Sequence, residues 1–140
     1  KPHYAQIETQ RFCATHGIAP QVANPHFPVN TLKMMRGAVY AATTDYYEKY
    51  IEAMYGAMWE QALKMDEDEL IATALTNAGL PADEIMNGMV DPVVKKSLIE
   101  KTEQSVSRGT FGSPTLFVGD EIFFGKDKLR DAIELAQQNK

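Results

Sequence analysis

Apolar residues recur at intervals of three and four as far as Ser107, and alternating strand patterning sets in only beyond it. Tyr4, Ile7, Arg11-Phe12 and Thr15 predict a first amphipathic helix, stopped at Gly17 with Pro20 beyond. Residues 19–28 carry three prolines and no periodicity, so they read as a linker. Asn30 is placed to cap a helix from Thr31 to about Thr43. Tyr46, Tyr47, Tyr50, Ile51, Met54, Tyr55, Met58, Trp59 and Ala62 define a broad apolar face on the next helix. Asp66 with Glu69 has capping-box spacing for another helix, which Gly79 ends. Pro81 to Gly88 predicts a short helix, and Asp91-Pro92 places a cap and a first-turn proline before a helix ending at about Ser107.

The last third changes character. Thr115-Leu116-Phe117-Val118 and Glu121-Ile122-Phe123-Phe124 are short apolar runs separated by Gly119-Asp120, residues that tolerate the positive φ of tight hairpin turns. A helix start at Asp127 and a final helix from about Lys128 to Gln138 follow. Two antiparallel strands and one helix do not ordinarily build an independent core, so the hairpin needs a further partner.

Composition narrows the function classes. With 140 residues, 44% hydrophobic and 24% charged, the chain reads as an ordered globular protein of one modest domain or a core with an insertion. The net charge of −5 and the scattered Lys and Arg argue against a nucleic-acid or anionic-membrane partner. No apolar run approaches the roughly 20 residues of a membrane span. Cys13 is the sole cysteine, which excludes an internal disulfide and a CxxC pair within these residues. A buried packing role suits it better than that of a nucleophile. A cytoplasmic location is the expectation, since one thiol is compatible with a reducing compartment. His3, His16 and His26 lack metal-ligand spacing, and Asp66 to Glu69 reads as helix-start charge, so no metal is expected.

The chemistry-bearing stretch runs from Arg108 to Leu129. Ser113-Pro114 stands before the hairpin and Gly125-Lys126-Asp127-Lys128-Leu129 after it. Together with Phe27-Pro28-Val29-Asn30-Thr31, Arg36, Lys1, Tyr4, Arg11-Phe12, Gly17-Ile18 and the Asp91-Pro92 helix, this stretch resembles the 2-hydroxychromene-2-carboxylate isomerases and kappa-class glutathione transferases. These form a DsbA-like branch of the thioredoxin superfamily. The resemblance implies an α/β thioredoxin-like fold with an inserted all-helical domain. It divides the chain into a first helix and linker (1–28), the helical insertion (29–107) and the C-terminal half of the thioredoxin-like domain (108–140). Family members carry a strand–helix–strand unit ahead of the position of Lys1, so the fold is expected to be incomplete within these residues.

By the same resemblance, glutathione is the cofactor. The Ser113 backbone beside a cis Pro114 would pair with its cysteinyl backbone. Lys126 would meet its γ-glutamyl carboxylate and Asp127 its ammonium, with Pro114 and Gly125 counted among the cofactor-binding positions. The bland roles are a loop proline and a helix N-cap. Lys128 stands where the family commonly has arginine; it keeps the charge and loses the planar fork. Asn30 is the candidate contact to an aromatic or chromene carboxylate substrate, with N-capping the simpler role. The thiol-activating serine of the family has no counterpart here, so no catalytic residue is assigned within the chain. The implied activity is reversible thiol addition, ring opening and cis/trans isomerisation, used in aromatic degradation, with a homodimer as the common family state. Alternatives are a kappa-class transferase, a DsbA-like thiol-disulfide oxidoreductase with its CxxC upstream, and a truncated binding module without catalysis.

Overall fold

The computed structural model describes residues 2–138, so the expectation resting on Lys1 lies outside the described residues. Among the described residues, seven α-helices and one hairpin occur in the order α1 (Pro2–His16), α2 (Leu32–Ala41), α3 (Tyr47–Trp59), α4 (Asp68–Asn77), α5 (Ala82–Val90), α6 (Pro92–Ser107), β1 (Thr115–Val118), β2 (Glu121–Phe124) and α7 (Leu129–Gln138). They fall into two units that divide inside α6, between Leu98 and Ile99.

In the first unit, Met34, Ala41, Tyr50, Met54, Met58, Met65, Ile71, Leu75, Ile85 and Met89 are buried together. The three- and four-residue spacing of α3 therefore is core patterning, as its breadth suggested. Two glycines set the closest approaches: a Cβ at Gly37 would stand 2.1 Å from the Tyr50 hydroxyl, and one at Gly88 would stand 2.5 Å from the Tyr40 ring. The Tyr50 hydroxyl donates to the Met34 carbonyl at 2.7 Å. Burial raises its pKa above the usual phenol value by disfavouring the phenolate.

The helix ends follow the sequence signals in some places and correct them in others. Gly17 and Gly79 adopt φ +64° and +65°, and the following amides of Ile18 and Leu80 reach back to Cys13 and Leu75 at 2.9 and 3.0 Å, the bond of a glycine C-cap. Asp91 caps α6 through its carboxylate, which accepts from the Val93 amide at 2.6 Å. The box expected at Asp66 and Glu69 does not form: Glu67 flanks α4, no side chain caps it, and Asp66 accepts the Asn30 amide at 3.3 Å instead. α3 stops at Trp59, short of Ala62, although Ala62 keeps the apolar spacing. The Gln61 and Leu63 amides fold back onto the Gly56 and Ala57 carbonyls, and Ala62 takes φ +55°.

The stretch read as a linker is tied down. Asn24 is buried, and its amide nitrogen donates to the Met58 carbonyl at 2.9 Å and the Leu63 carbonyl at 2.8 Å. Its carboxamide oxygen accepts from the His26 amide at 2.9 Å. This one side chain satisfies the Met58 carbonyl in the last turn of α3 and the Leu63 carbonyl in the turn beyond it.

In the second unit, β1 and β2 pair antiparallel with Thr115 opposite Phe124 and Val118 opposite Glu121. Of the two turn residues only Gly119 has positive φ, +60°, which is the II′ rather than the I′ pattern. Among the described residues, Ala132 is the one buried apolar side chain of this unit, while Ile122, Phe124 and Ile133 are exposed. That agrees with the expectation that a lone hairpin and helix make little core of their own.

Candidate functional site

The hairpin register decides the geometry of the residues singled out in the second unit. Because Thr115 faces Phe124, the next pair outward is Pro114 with Gly125, and the Gly125 amide donates to the Pro114 carbonyl at 2.9 Å. Ser113-Pro114 is therefore brought beside Gly125-Lys126-Asp127. The Ser113–Pro114 peptide bond is cis, as expected, and Phe27–Pro28 is a second cis bond that no sequence signal indicated. Ser113 is exposed, and neither its N–H nor its C=O has a partner among the described residues.

Gly112 makes this approach workable. A Cβ there would lie 2.8 Å from the Phe124 ring, which in turn packs against Phe111 with centroids 4.7 Å apart. Thr115 donates to the Gly112 carbonyl at 2.6 Å and fixes the turn from within. Arg108 lies over the Phe117 ring at 3.8 Å, anchoring the end of α6 to β1.

Asp127 is not the N-cap the sequence suggested. It lies inside a short 3₁₀ turn, Lys126–Lys128, flanked by Gly125 at φ +89°, and α7 begins only at Leu129. Its carboxylate pairs with the Lys126 ammonium and remains 82% exposed, so solvent screens the pair and a ligand cation can compete for it. Lys128 is engaged with Asp131 at 2.7 Å, which raises the pKa of its ammonium. The chemical character of the site is thus an unpaired backbone segment, a glycine turn and an open carboxylate. That set suits an extended, peptide-like ligand with an ammonium group.

In the first unit, an apolar groove of about 390 Å³ is lined by Phe27, Met34, Met35, Met54, Tyr55 and Trp59, among others. Phe27 and Trp59 flank it with ring centroids 5.9 Å apart, and Met35 and Tyr55 are exposed. Exposed methionine and aromatic side chains in a concave surface are the usual lining of a small-molecule site. The periodic stripe of 46–59 signalled these residues without telling groove from core.

Asn30 does not line this groove. Its carboxamide oxygen accepts from the Leu32 amide at 3.0 Å, and Thr31, not Asn30, is the residue flanking α2. The cap lies one residue later than expected because Asn30 serves the first helical N–H from outside the helix. Asn30 and Arg36 line a separate polar cleft of about 400 Å³ with Lys33, Lys64 and Asp66. Among the described residues no group of His, Cys, Asp and Glu could hold a metal, and no helix is long and apolar enough to cross a membrane.

The profile of the DSBA-like thioredoxin domain matches residues 3–135. The chain belongs to that family. It is 26% identical over 129 residues to a 2-hydroxychromene-2-carboxylate isomerase from Pseudomonas putida, an alignment covering 92% of this chain and 62% of the relative. A relative of the same name from Sphingobium xenophagum is 33% identical over 93 residues, covering 66% of this chain and 47% of its own length. The solved structure of a 2-hydroxychromene-2-carboxylate isomerase superposes with a TM-score of 0.81 at 26% identity, over 98% of this chain and 68% of that one. The chain thus spans about 60% of the length of the two longest-matching curated relatives, 62% and 59% respectively. The DsbA-like thioredoxin fold read from the closing motifs is borne out.

Proposed function

We propose that this protein is a glutathione-dependent isomerase of chromene-type carboxylates. The observation that carries the glutathione half is the register that sets the free Ser113 backbone beside Gly125, Lys126 and Asp127. The isomerase half rests on the relatives named 2-hydroxychromene-2-carboxylate isomerase, which align over 92% of this chain.

The residues fit glutathione chemically. Ser113 offers one N–H and one C=O to an extended peptide, as a strand edge does. The exposed Asp127 carboxylate attracts the γ-glutamyl ammonium, and the cationic side chain of Lys126 suits its carboxylate. Bound there, glutathione supplies a thiol that can add to a conjugated acceptor and leave again. Residues of this chain hold and orient it; none is assigned to lower the thiol pKa. The aromatic body of the substrate suits the groove of Phe27, Met35, Tyr55 and Trp59, where apolar burial favours a ring over water.

Calorimetry with glutathione and an isomerisation assay on 2-hydroxychromene-2-carboxylate test the reading. Glutathione is expected to bind, Asp127→Ala to weaken it by roughly tenfold through loss of a charge-assisted contact, and turnover to require the thiol. Undiminished turnover without glutathione, or unchanged affinity in Asp127→Ala, would overturn it. Accumulation of a stable glutathione conjugate in place of the isomer would instead make the protein a transferase.

A further inference from the structure

The polar cleft beside α2 carries an unmet chemical demand. It is lined by Asn30, Lys33, Arg36, Lys64, Asp66 and Glu67 and encloses about 400 Å³. Two of its side-chain atoms, Arg36 Nε and Asp66 Oδ1, are buried without a hydrogen-bond partner among the described residues. Buried donors and acceptors in folded proteins are nearly always paired, so two orphans on one cleft call for an explanation.

The other charges around it are accounted for. Lys33 pairs with Asp68, and Lys64 with Glu67 at 2.8 Å. Asp66 spends Oδ2 on the Asn30 amide, and its Oδ1 lies 3.9 Å from the Lys64 ammonium, beyond hydrogen-bond reach. Arg36 is the cleft's cation without a counter-charge among the described residues. What remains is a guanidinium lacking an anion and a carboxylate oxygen lacking a donor. The volume is many times the roughly 30 Å³ of one water.

We propose that this cleft binds a small carboxylate bearing a hydrogen-bond donor on the adjacent carbon. Arg36 takes the carboxylate, for which a guanidinium is the strongest protein partner, and Asp66 Oδ1 takes the hydroxyl or ammonium. Hydroxy acids and amino acids share this chemistry. The site is separate from the groove, because Lys33 and Arg36 lie on the side of α2 away from Thr31, Met35 and Ala38, which face the groove.

Lactate, alanine and propionate, three probes of one size, decide it. In ¹H–¹⁵N spectra of the protein, the Arg36 Nε–Hε resonance is expected to shift with lactate or alanine. Propionate should bind roughly tenfold more weakly, because it leaves Asp66 without a donor. A response to lactate alone identifies a hydroxy acid, and one to alanine alone an amino acid. Arg36→Gln should abolish the response of the surrounding backbone amides, and Asp66→Asn should erase the preference over propionate. If Asp66→Asn does not fold, Arg36→Lys serves instead, keeping the charge and losing the Nε donor, and should also weaken binding. Silence of the Nε–Hε resonance to all three probes at about 100 mM, or equal binding of propionate, would overturn the proposal. Arg36→Gln should leave the loss of glutathione affinity caused by Asp127→Ala unchanged, so this test and that of the isomerase reading fail separately.

Discussion

At Ala62 the chain holds an L-residue at φ +55°, where its Cβ crowds the following carbonyl. Ala62→Gly should therefore stabilise the protein by about 1 kcal/mol, less the added freedom of the unfolded chain. A denaturant midpoint that falls instead would show that the turn after α3 needs the methyl group. Asn24 works in the opposite sense. Truncation to Ala leaves the Met58 and Leu63 carbonyls without their donor, and a loss of roughly 2–4 kcal/mol is expected from two buried orphan groups. Neither effect is legible in the residues alone. An asparagine between two prolines resembles any turn, and an alanine on the apolar stripe resembles a continuing helix.

Between elements, the Glu84 carboxylate of α5 joins α2 to Tyr46, the residue that precedes α3. One of its oxygens accepts from the Tyr40 hydroxyl at 2.9 Å and the Tyr46 hydroxyl at 2.8 Å. Tyr46 is pushed up to about 12, chiefly by burial and then by its bond to Glu84, whereas for Tyr40 the bond to Glu84 is the leading cause of the upward shift. A raised folded-state pKa means that the fold favours the protonated phenol. The stability tied to it is complete below the ordinary phenol value of about 10 and is lost as pH climbs from there. For Tyr46 the loss extends to about 12. Glu84→Gln should bring both phenol titrations, followed by ultraviolet absorbance, back toward lower pH; unchanged titration curves would remove Glu84 from the account. Gly37 and Gly88 bring α2 against α3 and α5. Gly88→Ala should cost about 1–3 kcal/mol of stability by overpacking against Tyr40, visible as a lowered melting temperature.

At the scale of the molecule, the groove and the Ser113–Asp127 site lie in different units, so under the proposed function they can be separated by mutation. Met35 is 47% exposed on the groove wall, and Met35→Glu places a charge there without emptying the core. The KM for the chromene carboxylate should rise by roughly tenfold, given the cost of setting a charge against an apolar ring, while glutathione affinity stays the same. A change in glutathione affinity alone would count against the assignment of the groove.

Helix periodicity, the glycine stops at Gly17 and Gly79, the Asp91-Pro92 start and the two-residue hairpin were all determined by local sequence. Each depends on the φ preference, capping chemistry or face of a few neighbouring residues. The run from Arg108 to Leu129 also carried the family resemblance. Tertiary structure alone decided which polar groups met. It turned Asp66 from a helix cap into a partner of Asn30, 36 residues away. It also left Arg36 Nε without a partner in a polar cleft. A carboxylate or guanidinium has several partners of similar energy within reach. The choice among them falls to the packing of distant elements, which no local pattern encodes.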